Sequence, residues 1–224
     1  MYQYVKRGRL HKKMNLACQD AVGGGEEKGI LVITAADASS MNDYGEKGAR
    51  LAVETLKELL LYHFDEVYQM SKRDIQYNVI IQVRKKQYEF CDLHGIEIDD
   101  IKSTLMAFAY ERKTRRIIML HLGDGYIVTK SKERYRIVSY PQNGGNLHRT
   151  YMTSMVPVSQ KIKVYCGMLE DLQEVYLLTD GWREFANTNE AVLKIVQKID
   201  SSDKWEGEDD LGFISMNVDD EKIN

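Results

Sequence analysis

The chain of 224 residues is 43% hydrophobic and 29% charged, with a net charge of −3, the profile of an ordinary globular protein long enough to bury a substantial core. Its basic residues are scattered, which removes the electrostatic case for nucleic-acid binding, and no apolar run approaches the ~20 residues of a membrane span. Three cysteines (Cys18, Cys91 and Cys166) are too few for a disulfide framework and lack metal-ligand spacing. MYQYVKRGRLHKK has no apolar signal core, so a cytoplasmic protein with reduced thiols and a single domain over residues 1–224 is expected.

Residues 2–6 (YQYVK) are strand-like by composition. GRLHKKMNLACQDAV brings in Asp20, and GGGEEKG after it reads as a hairpin connection. Ile30 to Ala36 is apolar enough for a strand covered on both faces, and it stops abruptly on Asp37. Beyond the polar loop ASSMN, Asp43 and Glu46 have the spacing of a capping box. Ala49, Ala52, Val53, Leu56, Leu59, Leu60, His63, Phe64 and Val67 then follow one helical face, predicting a helix to about residue 68. A second helix is predicted from Asp74 to near Phe90, with Ile75, Val79, Val83 and Lys86 along one side. From Ser103 the period changes to two. STLMAFAYER, RRIIMLHLGD, GYIVTKSK and RYRIVSYP read as consecutive antiparallel strands, YMTSM and KIKVYCGM as two more, and EVYLLTDG as a buried one. Ala191 to Ile199 makes a short helix, LGFISMNV a closing strand and DDEKIN a polar tail. Two helices between groups of strands in meander order give an α+β layered sandwich.

Three apolar runs end on an acid: Asp37, Asp124 and Asp180. Asp209 and Asp210 stand immediately before a fourth. Burying carboxylates unpaired is costly, so such ends make sense if they converge on something positive. Oxygen-only ligand sets select hard cations such as Mg²⁺ and Mn²⁺. Two such ions a few ångströms apart activate a bridging water and clamp phosphoryl oxygens, and phosphoryl transfer asks the protein mainly for positioning and charge neutralisation. Taken singly, each acid fits a turn or cap; Asp124 in GDG fits a hairpin turn, and Asp20, Asp209 and Asp210 fit a solvated surface. It is their joint occurrence that points to a metal site. His121, inside a strand, reads as a satisfied core histidine, and Trp182 and Phe185 as packing. No phosphate loop of the Walker or dinucleotide pattern occurs.

Five blocks carry a resemblance: CQDA (18–21), AADASSMNDYGEKGARLAVE (35–54), STL (103–105) with HLGDG (121–125), LLTDG (177–181) and EDDLGFI (208–214). In this order the chain resembles the metal-dependent protein phosphatase 2C family over residues 18–214, and is most similar to its compact bacterial members. The resemblance implies a four-layer α-β-β-α sandwich, two packed and mainly antiparallel sheets flanked by helices. It also implies hydrolysis of Ser/Thr phosphoproteins without a phosphoenzyme, by direct attack of a metal-bridged hydroxide, with two or three Mn²⁺ or Mg²⁺ ions. Carried over by position, Asp37 would bridge two cations and the Ala38 carbonyl would ligate one. Asp180 and Asp209 would complete the first metal's surroundings, partly through water, Asp20 would sit close by, through water or directly, and Asp124 with Asp180 would hold a further, weaker ion.

Several positions depart from the family pattern. Ala38 stands where Gly is usual, and Ser39-Ser40 replace Gly-Gly. Asn15 falls where a phosphate-binding Arg is common, and Gln19 replaces an acid. GRLHKKMNLACQDA is similar to the Gly-x-x-His opening of a bacterial branch, which makes His11 the candidate phosphate contact or general acid, with Lys12 and Lys13 as neighbours. The short segment between Asp124 and Asp180 implies a reduced flap. The expected partner is a phosphorylated Ser/Thr protein, with no nucleic acid or membrane, and the enzyme is expected to be a monomer. The rival readings are a pseudophosphatase serving as a binding module and a small-molecule phosphatase on the same site.

Overall fold

The computed structural model describes residues 1–38, 43–132, 134–142, 150–186, 188–199 and 205–219. In chain order these form β1 (Tyr2–Lys6), α1 (Arg9–Met14), β2 (Asp20–Glu27), β3 (Ile30–Asp37), α2 (Gly45–Tyr62), α3 (Phe64–Gln69), α4 (Lys72–His94), β4 (Leu105–Glu111) and β5 (Arg116–Leu122). There follow β6 (Tyr126–Ser131), β7 (Arg134–Ser139), β8 (Lys163–Met168), β9 (Glu174–Leu178), α5 (Asn189–Val196) and β10 (Leu211–Asn217). One sheet has the order β1-β10-β9-β6-β7 and the other β2-β3-β4-β5-β8. Every pairing is antiparallel.

The layers follow from alternation. On β3, Leu31 and Ile33 face the other sheet and meet Phe108, Val175, Leu177 and Ile214, while Val32 faces the opposite way, toward Leu56 and Leu60 of α2 and Val79 and Val83 of α4. A strand apolar on both faces is thus covered on both, as its composition requires. The outer face of the first sheet packs Val128, Tyr176 and Phe213 against Val192, Ile195 and Val196 of α5. The result is the expected α-β-β-α sandwich. No helix among the described residues is long and apolar enough to cross a membrane.

Several local expectations are corrected. The three glycines 23–25 lie inside β2, and the turn is Lys28-Gly29, both at positive φ. A Cβ on Gly23 would meet Val53 Cγ1 at 2.7 Å, so glycine here admits the close approach of α2. Tyr44 rather than Asp43 precedes α2, with no side-chain cap, and Glu46 pairs with Arg50 at 2.9 Å. The long helix breaks at His63, but the apolar stripe survives the break because Phe64 and Val67 of α3 stay buried. On α4 the inward position is Gln87, whose Nε2 donates to the Ile101 carbonyl at 3.1 Å, and Lys86 is exposed. YMTSM forms turns instead of a strand. Its carbonyls at Thr153 and Met155 accept from the Arg84 guanidinium, and Ser103 N–H donates to Thr153 Oγ1, so side chains satisfy what a ladder would have. Residues 9–14 form a helix that apolar spacing did not announce, ended by Asn15 at φ 55°. Thr188 caps α5, which spans Asn189–Val196 and so begins and ends earlier than expected. Ser39, Ser40 and most of the DDEKIN tail lie outside the described residues.

One correction matters for function. β5 and β6 are consecutive but unpaired; the chain changes sheets between them, and GDG makes that crossing instead of a hairpin turn.

Candidate metal centre

The acid-bearing ends collect at one end of the sandwich. Asp20 opens β2 directly opposite Asp37, which closes β3. Asp124 sits at the crossing after β5, Asp180 follows β9, and Asp209-Asp210 precede β10. Asp37 is held by a pair of bonds to one residue: its N–H donates to Thr104 Oγ1 at 2.8 Å, and its carbonyl accepts from Thr104 N–H at 2.8 Å. Close approach is made possible at Gly181, where a Cβ would lie 1.9 Å from the Asp210 carbonyl oxygen. The TDG glycine therefore seats the β9 end directly against the β10 end.

One carboxylate oxygen each from Asp37, Asp124 and Asp180 lies within 4.8 Å of the other two. Asp124 is buried, and its Oδ2 accepts from Thr150 Oγ1 at 2.5 Å and faces Arg183 Nη1 at 3.7 Å. Asp20 is buried beside the trio and accepts from Thr179 Oγ1 at 2.6 Å. Burial, and then the charges of Asp180 and Asp20, push the Asp37 carboxyl well above the usual range. Asp20 moves the same way through burial, opposed by the Thr179 bond. Asp180 rises to about 7 through burial and the charges of Asp124 and Asp209, with Arg183 opposing. These are signs of carboxylates gathered with too little protein charge to balance them.

The other predicted residues fall around this group. Ala38 is buried, and its N–H donates to the Gln19 carbonyl at 3.2 Å. It is not among the described residues with positive φ, so the alanine needs no strained backbone there. Asp209 is exposed on the adjoining loop, where Glu184 Oε1 accepts from its N–H at 2.7 Å. His11 does not stand free in a basic segment. Its Nδ1 lies 2.7 Å from Oδ2 of the buried Asp210. Lys12 reaches Glu206 at 3.4 Å, and Lys13 is exposed. His121 is fully buried with Nδ1 against Ser139 Oγ at 2.6 Å, while its Nε2 has no hydrogen-bond partner among the described residues. Burial and Lys163 hold its pKa down at about 3. Trp182 is buried in the core against α5.

Sequence reasoning missed Thr104, Thr150, Thr179 and Arg183. Arg183 had the clearest signal, being three residues beyond Asp180 in the 3-10 turn Asp180–Glu184, where that spacing returns a side chain to the same side.

A profile of the family described as Protein phosphatase 2C matches residues 7–210. Among curated proteins, none matches. Among solved structures, the S. agalactiae serine/threonine phosphatase is 15% identical, with 95% of this chain and 96% of that one covered and a TM-score of 0.67. Serine/threonine phosphatase Stp1 from Staphylococcus aureus is 12% identical over 97% and 94%, at a TM-score of 0.66. RsbX, solved in complex with magnesium, is 14% identical over 96% and 92%, at 0.58. Identities this low establish the shared fold alone. The profile match runs from the turn before α1 to the acids before β10, and by it the chain belongs to the protein phosphatase 2C family of metal-dependent phosphoric monoester hydrolases.

Proposed function

We propose that this protein is a Mn²⁺- or Mg²⁺-dependent serine/threonine phosphoprotein phosphatase, a single domain acting as a monomer in the cytoplasm. The observation that carries this reading is the meeting of Asp37, Asp124 and Asp180 within 4.8 Å from three separate strand ends. The donor set fits the ion, since it consists of carboxylates without thiol or imidazole, and hard divalent cations take such oxygens.

Asp37 would hold two ions jointly, with the Ala38 carbonyl on one. Asp180 and Asp209 would complete that ion's surroundings from the adjoining chain ends, Asp20 would support it from the facing strand, and Asp124 with Asp180 would take a third. When bound, such ions supply a water made nucleophilic at neutral pH and neutralise phosphoryl oxygens. The protein's own contribution is placement. Thr104 fixes Asp37 on both sides of its backbone, Thr150 aims Asp124, and Thr179 aims Asp20. His11, at the rim, would contact the substrate phosphate.

The test is turnover of 4-nitrophenyl phosphate and of a phosphothreonine peptide with Mn²⁺, for the wild type and Asp37→Asn. The variant is expected to keep its fold and to lose at least about a hundredfold in kcat. Metal-dependent turnover that survives the substitution would remove the assignment, and a clear preference for nucleotide or sugar phosphates would replace the protein substrate.

A further inference from the structure

His11 is one half of a buried pair. Asp210 is 2% exposed and both oxygens of its carboxylate are engaged: Oδ1 accepts from Gly8 N–H at 2.6 Å, and Oδ2 accepts from Gln19 N–H at 2.5 Å and lies 2.7 Å from His11 Nδ1. A carboxylate offers only acceptors, so the hydrogen on Nδ1 belongs to the histidine. The other ring nitrogen, Nε2, makes no hydrogen bond among the described residues.

The surrounding backbone holds this pair in place. The start of α1 is tied to the segment carrying the acids, with Arg9 N–H donating to Gly207 O and Leu10 N–H to Glu208 O, both at 3.0 Å. A Cβ on Gly8 would come within 2.4 Å of the Asp209 carbonyl carbon, so α1 rests directly on the main chain of Asp209. The two neighbouring acids thus do different things. Asp209 turns to solvent beside the trio, and Asp210 turns inward to bind α1.

The geometry points to Asp210 as a positioning residue that fixes His11 with Nδ1 protonated and Nε2 directed to the phosphoryl group held at the acid cluster. A histidine whose one nitrogen is committed to a buried carboxylate presents the other in a set tautomer and direction. The inference rests on the phosphatase reading for what His11 meets, and on the contacts above for how it is held.

Two measurements test it. In ¹⁵N-labelled protein with Mg²⁺, a long-range ¹H–¹⁵N spectrum assigned with His11→Gln should show His11 Nδ1 protonated in the wild type and changed in Asp210→Asn. An unprotonated Nδ1, or one averaging as in free histidine, would overturn the proposal, whether or not the variant folds. In kinetics on the phosphothreonine peptide, Asp210→Asn should lower kcat about 10- to 100-fold and cost less than threefold further in the His11→Gln background, because residues acting as one unit are not additive. Equal losses in both backgrounds would make Asp210 merely structural and overturn it. If the wild type hydrolyses no phosphate monoester, the phosphatase reading falls, and the ring spectrum alone decides whether Asp210 sets the His11 tautomer.

Discussion

Removing one charge from the acid cluster should stabilise the metal-free protein, and the size of the gain should depend on pH in a defined direction. Asp180 titrates at about 7 in the fold against an ordinary 3.8. Because the folded state holds this proton more tightly, the associated stability is fully present below pH 3.8 and is lost as pH rises through 7. Moving the midpoint that far corresponds to about 4 kcal/mol at most, and the partial solvent contact of Asp180 brings the expectation to about 2–4 kcal/mol. Asp180→Asn mimics the protonated form at every pH. In chelator, the variant and wild type should therefore melt together near pH 4, and the variant should melt about 5–15 °C higher at pH 8, given roughly 2–4 °C per kcal/mol for a chain of this size. His121 is common to both proteins and cancels from the difference. Adding Mn²⁺ should reverse the order, raising the wild type and leaving the variant nearly unmoved. Differential scanning calorimetry at pH 4, 6 and 8 reads this directly. A variant less stable than the wild type at pH 8 in chelator would refute the claim that these carboxylates repel one another in the fold.

Other substitutions test separate parts of the structure. Arg183→Gln takes away the cation 3.7 Å from Asp124, and should tighten Mn²⁺ binding several-fold by calorimetric titration; weaker binding would show that Arg183 orders the site instead of competing for it. Gly48→Ala puts a Cβ 1.9 Å from the Ile101 carbonyl oxygen, so α2 must shift, at about 2 kcal/mol or more; an unchanged melting temperature would sink that packing argument. His121 is held neutral with a pKa of about 3 against 6.5, which gives stability present above pH 6.5 and lost as pH falls toward 3. His121→Gln should flatten that acid limb, worth about 3 kcal/mol by pH 4.5, and an acid limb of the same slope in the variant would be the contrary result.

The parts of this fold that were legible in the sequence are those where one local pattern has one physical cause. Ile30 to Asp37 could be read as a strand because the run is apolar on both faces, Thr34 apart, until the chain reaches the site. The stripe of α2 and α3 could be read through a helix break, since burial follows spacing and not hydrogen-bond continuity. GDG could not be read alone. A hairpin and a crossing between sheets both ask for glycine around an acid, and only the pairing of β5 with β8 and of β6 with β9 distinguishes them. The glycines of β2 misled for the same reason, because glycine is required both by turns and by a helix lying close on a strand. Which of two adjacent acids turns inward is set by α1, some two hundred residues upstream, and no local pattern carries that.

What separates the acids of this site is how far the protein itself satisfies each one. Asp210 has three N–H donors, Asp20 has the Thr179 hydroxyl, and Asp124 has Thr150 and, at longer range, Arg183. Asp180 shares the influence of Arg183. Asp37 has none of these: among the described residues its backbone is held by Thr104 while no side-chain or backbone donor reaches its carboxylate, and its surroundings are Asp180, Asp20, Asp209 and Asp124. A half-buried carboxylate left to other carboxylates is costly unless a positive charge joins it. The deficit is therefore centred on Asp37 and shared next with Asp180, the two residues on which a cation would relieve the most repulsion. The same asymmetry sets Asp210 apart, though it is adjacent in sequence to a proposed ligand: both of its oxygens are already engaged by α1 and Gln19.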